Sequence, residues 1–325
     1  MAREPQIAID AGSRVAIAYG LGNTIYVSIS RDRGASFGSP IKIADAGQLS
    51  LGMRRGPRIA SIPRALVVTA VYGAQGKGRD GDLVAFRSVD GGQTWRGPEK
   101  VNDVAGSARE GLHAMAAAPD GTLACVWLDL RGKGTRLYSS ISKDDGATWS
   151  TNCLVYASPS GTICQCCHPS LAFDDRGKLY AMFRNSLGGD RDMYLTSSTD
   201  YRNFTPATKL GKGSWKLDAC PMDGGMLAIG KGGQVVTTWR REGTVYTCGL
   251  VGEEVPLGPG KQAWIATSGS KTTVVWQEGS NILCGEPANR TIRPLDFGDD
   301  PVITCHENLM IAAWNSNGVR AARLP

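Results

Sequence analysis

The chain has 325 residues, 42 of them glycine, and its 36 basic and 30 acidic side chains give a formal charge of +6. That excess is small and dispersed, which excludes a nucleic-acid footprint and supports only a mild preference for an anionic ligand. No apolar run reaches the ~18 residues of a membrane span, and no stretch sustains a 3.6-residue apolar stripe, so short strands and turns must supply the fold.

In chain order, the first elements are two short apolar strands, Ile7–Asp10 and Val15–Tyr19, the second ending in an aromatic residue. A third strand, Ile25–Ser28, and a more polar fourth, Ile41–Ile43, follow them. The pattern then recurs. Aromatic-ended strands reappear at Leu66–Tyr72, Leu123–Trp127, Leu179–Phe183, Val235–Trp239, Thr273–Trp276 and Met310–Trp314. Strands such as Pro57–Ala60, Ser170–Phe173 and Met226–Ile229 precede them, and strands such as Leu83–Phe86 and Met193–Thr196 follow. A single meander of this kind exposes two apolar faces, and radial stacking of copies buries both. The seven copies therefore predict an all-β chain, one domain over residues 1–325, folded as a seven-bladed β-propeller of antiparallel meanders. Six blades would be the count if one copy were a decoration. The last copy ends too soon for its own fourth strand, so either the segment before Ile7 supplies it or that blade stays three-stranded.

A second motif lies between third and fourth strands. Ser30–Phe37, Ser88–Trp95 and Ser142–Trp149 all fit S-x-D-x-G-x-[ST]-[WF], at spacings of 58 and 54 residues, and Ser198–Phe204 is a degenerate copy without the glycine. These segments resemble the Asp-box, or BNR repeat, of sialidase-like propellers. The chemistry of the box is local: Asp accepts from backbone amides of its own turn, Gly supplies a positive φ, and the aromatic packs beneath. Asp32, Asp90 and Asp144 are thus expected to hold turns together rather than to catalyse.

Strand order places the Asp-boxes on one face and the candidate site on the other, where second-to-third-strand loops meet the links between blades. The resemblance implies sialidase-like chemistry there: an arginine cluster clamping a carboxylate bidentately, a carboxylic acid protonating the leaving oxygen, and a Tyr–Glu nucleophile pair. The matching candidates are Arg131, Arg184, Arg191 and Arg240 for the ligand, and Glu110 and Asp129 as catalytic carboxylates. The family's F-R-I-P start survives only as Pro57-Arg58-Ile59, and no late tyrosine stands beside a glutamate. The expectation is therefore a carbohydrate-active protein, leaning towards a glycoside hydrolase, that binds or hydrolyses an anionic glycan. It is expected to be a monomer without nucleic-acid partners.

Nine cysteines cannot all pair within one chain. Cys125, Cys153, Cys248, Cys284 and Cys305 fall singly in strands and read as small core residues. Cys164, Cys166, Cys167 and His168 instead crowd ahead of one inner strand, and Cys220 ahead of the next. Disulfides stapling adjacent blades, a soft-metal site for Cu or Zn, and buried unpaired thiols all remain open. Cys164-x-x-Cys167-His168 also matches the covalent haem c motif, but no haem-sized loop accompanies it. A metal or redox protein built on these thiols is the alternative function. If the strands are extended through this segment, Cys164 and Cys166 should point one way and Cys167 the other, with Cys220 approaching one side. Without an apolar leader, the chain reads as the mature form of a periplasmic or secreted protein.

Overall fold

The computed structural model describes all 325 residues and consists of seven antiparallel sheets. Blade 1 contains Arg3–Ile9, Val15–Leu21, Thr24–Ser30 and Ile41–Ala44, ordered from the inner to the outer strand. Blades 2, 3 and 4 begin with the inner strands Arg58–Ile62, His113–Ala117 and Ser170–Phe173. Those of blades 5, 6 and 7 are Gly225–Ile229, Lys261–Ser268 and Asp299–His306. Every aromatic-ended segment is the second strand of its blade, paired to the inner strand on one side and the third on the other. Blade 7 stays three-stranded, with Val319–Leu324 as its last strand. The segment before Ile7 does not complete it. That segment extends the inner strand of blade 1, where Arg3 lies opposite Gly20. Blade 2 gains a short extra strand, Gln48–Leu49, paired to Gly73 and Tyr72.

The second strands are apolar on both faces because each sheet lies between two neighbouring blades. All seven residues of Leu123–Asp129 are buried, whereas the outer strand Arg96–Lys100 is exposed throughout. The core is therefore a ring of interfaces. One cluster joins Val15 and Ile17 of blade 1 to Trp264 of blade 6 and to Val302, Ile311 and Trp314 of blade 7, which closes the ring. A fully buried Leu or Val contributes about 1.5–3 kcal/mol, so these interfaces dominate the stability. The inner strands surround a largely apolar axial channel of about 400 Å³, with Ile7, Met115, Leu171 and Ile303 in its wall.

The Asp-boxes occupy the lower face. Asp32 Oδ1 accepts from the Ser36 amide at 2.9 Å and Asp32 Oδ2 from the Ser36 hydroxyl at 2.5 Å. Asp90 and Asp144 hold Thr94 and Thr148 in the same way. The Ser that opens each box accepts from the glycine amide, as Ser88 does from Gly92 at 2.8 Å. In the degenerate box, Asn203 donates to Asp200 through both its amide and its side chain. Gly34 has a φ of +84° and lies so close to blade 7 that an added Cβ would stand 2.7 Å from Ile311 Cδ1. Glycine is thus required there both for the turn and for blade-to-blade packing.

Candidate functional site on the upper face

Each inner strand carries a polar residue at or within two residues of its upper end, and nearly all of these are buried. These residues are Glu4, Arg58, His113, His168, Asp223, Gln262 and Asp300, one from each blade, and together they close the top of the axis. Arg54, from the link between blades 1 and 2, is 2% exposed and lies across them. Its guanidinium donates to the Gln262 side chain and backbone carbonyl and to the Pro301 carbonyl, and stands 5.0 Å from the centre of the Trp264 ring. The Arg54 amide donates to Glu4 Oε1 at 3.0 Å. Burial, reinforced by Asp300, pushes the Glu4 carboxyl up to about 8. The signal that could have singled out Glu4, Asp223 and Gln262 in the sequence is a polar residue at the head of each inner apolar run.

The candidate arginines do not form one clamp. Arg184 is 1% exposed, and its donors go to the backbone carbonyls of Asp223 (3.0 Å), Arg191 (2.5 Å) and Arg240 (2.9 Å). Arg240 donates to the Pro221 carbonyl at 2.8 Å and lies 3.4 Å from Asp223. Both guanidinium groups stack on Trp215. This pair braces the links of blades 4 and 5 through protein acceptors, and Arg184 lies deep enough that its guanidinium donors must find them within the protein. Arg131 belongs to a different group. It donates to Asp129, Asp103 and Asn152 and stacks over Tyr138 at 4.0 Å. Asp129 is itself buried, taken up by Arg131 and by the Trp127 indole N–H at 2.8 Å, and is not paired with Glu110.

Glu110 is differently placed. It lies half-buried on the link between blades 2 and 3, with Arg55 Nη2 at 3.8 Å from Oε2 and Arg55 Nε donating to its backbone carbonyl at 2.6 Å. Burial raises its carboxyl above the ordinary range despite the opposing pull of Arg55 and Arg109, and the Cys166 sulfur adds to the rise. Arg191, half-buried on the loop after the second strand of blade 4, gives its Nε to the Leu217 carbonyl at 3.3 Å.

The cysteine segment is not extended. Ile163 is fixed by its amide to the Thr135 carbonyl and Cys164 by its amide to the Arg184 carbonyl, and the chain then turns at Gln165 and Cys166. That turn brings three sulfurs together: Cys164 to Cys167 at 3.4 Å, Cys164 to Cys166 at 3.7 Å, and Cys166 to Cys167 at 3.9 Å. The expected alternation of faces fails because two backbone anchors precede the turn and Pro169 follows it. The thiols of Cys166 and Cys167 hold Cys164 well below the usual thiol range, while burial pushes Cys167 up. Cys220 is exposed on the link into blade 5, and interaction with the Cys166 thiol is the chief cause that pushes its own thiol up to about 11. His168 is turned away. Its Nδ1 accepts from the Gly224 amide at 3.3 Å and its ring stacks on Trp264 at 5.8 Å, so it stands apart from the grouped thiols.

Comparison with known proteins agrees with this architecture. No curated protein matches the sequence. An ulvan lyase of polysaccharide lyase family PL25, solved with -[GlcA(1-4)Rha3S]-, superposes with a TM-score of 0.61 at 10% identity over 97% of this chain and 90% of its own. The α-L-arabinanase of Penicillium chrysogenum complexed with arabinobiose gives 0.56 at 16% identity over 91% and 93%. A catalytically inactive virginiamycin B lyase from Staphylococcus aureus, with quinupristin, gives 0.60 at 11% identity over 100% and 96%. At these identities the likeness is one of fold. The family model of the BNR repeat-like domain matches residues 23–228, the region that holds all four Asp-boxes, and the chain belongs to that family.

Proposed function

We propose that this propeller recognises an anionic glycan on its upper face, in the sector formed by the links into blades 2 and 3 and the loop after the second strand of blade 4. The observation that carries the reading is Glu110, a half-buried carboxyl with a raised pKa, set among the cations Arg55 and Arg109. A protonated carboxyl there donates a hydrogen bond to a glycan oxygen, and Arg55, Arg109 and Arg191 offer donors to a carboxylate or sulfate. Two fold neighbours, the ulvan lyase and the arabinanase, act on glycans, which supports the same ligand class. Arg131, Arg184 and Arg240 leave this reading as braces, and Asp129 leaves it as a buried partner of Arg131. A periplasmic or secreted location would put the site in contact with such polymers.

The test is calorimetric titration of the full chain with a polyuronate, a sulfated polysaccharide and neutral arabinan, with release of reducing or unsaturated ends followed in parallel. Binding to an acidic polymer that Glu110→Gln leaves intact at pH 7 and Arg191→Ala weakens is the expected result. Protonation favours binding, so wild-type affinity should fall as pH rises through the raised Glu110 range, and Glu110→Gln should remove that dependence. No binding to any acidic polymer, or binding untouched by both substitutions at every pH, would overturn the proposal.

A further inference from the structure

The thiol turn is too specific to be a by-product of packing. Isolated core cysteines of this chain, such as Cys125 and Cys284, are each buried within a strand. By contrast, Cys164, Cys166 and Cys167 lie outside any strand, and their sulfurs form a compact triangle. Four zinc-bound thiolates at about 2.3 Å from the metal stand about 3.8 Å apart at the corners of a tetrahedron. The observed edges of 3.4, 3.7 and 3.9 Å match one face of that tetrahedron. The fourth corner has a candidate of the same chemistry. Cys220 is exposed on the link into the next blade, and the Cys166 thiol is the chief cause that pushes its own thiol up to about 11.

We infer that Cys164, Cys166 and Cys167 form a structural Zn(II) site that Cys220 completes as the fourth ligand, tying the links before blades 4 and 5 together. Binding releases the thiol protons to solvent, and four thiolates with one Zn(II) leave a net charge of −2. Arg184, buried beside Cys164 and Cys167, and Arg191, beside Cys220, lie where they offset that charge. His168 is not a ligand, since neither of its ring nitrogens lies among the grouped sulfurs. The site adjoins the glycan sector, since Arg191 serves both and Cys166 acts on Glu110, but none of its four sulfur ligands is a glycan donor.

The experiment is zinc analysis of the full chain purified under reducing, air-free conditions, followed by competition with a chromophoric chelator. One Zn(II) per chain should survive a desalting column. Cys220→Ser, at an exposed position that leaves the blade packing alone, should lower zinc affinity by more than the about 10–100-fold typical of an outer-shell change. Cys164→Ser should abolish retention, and Cys153→Ser, in a distant strand, should leave it unchanged. Affinity should also fall as pH drops, because the ligands must deprotonate. Glu110→Gln should keep zinc while removing the pH dependence of glycan binding, which separates the two proposals. A chain that retains no zinc, retains Cu(I) alone, or holds zinc equally well in Cys220→Ser would overturn the assignment. So would alkylation mapping of freshly isolated protein that shows a Cys166–Cys220 disulfide.

Discussion

Single residues on the upper face do work that their chemical type alone does not reveal. Arg184 has the composition of an anion clamp, yet its donors end on three backbone carbonyls, because a guanidinium this deeply buried must satisfy them within the protein. Glu4 shows the opposite case: its Oε2 is buried without a partner, and its carboxyl is pushed up to about 8. A carboxyl whose pKa is raised on folding stabilises fully below its unfolded value, near 4.5, and that contribution is lost as pH rises through the folded value. The folded state should therefore weaken steadily between about pH 4.5 and pH 8. Glu4→Gln keeps the acceptor for the Arg54 amide and removes the titration. Urea midpoints at pH 5 and pH 8 should differ less in this variant than in the wild type, and equal slopes would show that Glu4 is ionised in the fold.

At the scale of one element, the Asp-box is a turn that the sequence specifies almost completely. Ser88 accepts from the buried Gly92 amide, so Ser88→Ala leaves that donor unpaired and should cost about 1–3 kcal/mol in chemical denaturation. Asp90→Ala should also lower the melting temperature while leaving glycan and zinc binding unchanged, since the box lies on the opposite face. A loss of either ligand at an unchanged melting temperature would place a site on the wrong side. The Cys164–Cys167 turn belongs to the same scale but was not legible. Its strand-like composition and the following Pro169 suggested alternation, whereas anchors to Thr135 and Arg184, both remote in sequence, create the bend.

For the whole molecule, closure is the controlling feature. No strand from one terminus completes the blade of the other, so the ring is held by packing between blades 1 and 7 and by the Glu4 amide donating to Asn315 Oδ1 at 3.0 Å. Removing residues 316–325 deletes the last strand of blade 7 and uncovers Met310 and Ile311, which are 3% and 0% exposed. Cooperative unfolding followed by circular dichroism should then be lost. A truncated chain with a sharp transition near the wild-type temperature would show that three-stranded closure is dispensable. No helix is long and apolar enough to cross a membrane.

What the sequence determined by itself was the repetitive part: seven meanders, the aromatic second strands and the Asp-box turns. Each depends on contacts within about one repeat, and each recurs often enough for the pattern to stand out. Even the choice of the upper face followed from antiparallel strand order. The tertiary structure alone decided which charged residues on that face are free and which are braces. Arg131 and Asp129 are neighbours in sequence and neutralise each other locally, but Arg184 meets Asp223, and Arg54 meets Gln262, across 39 and 208 residues. The Arg184 pairing needs neighbouring blades 4 and 5 to pack side by side, and the Arg54 pairing arises only when the ring closes and brings distant inner strands to one axis.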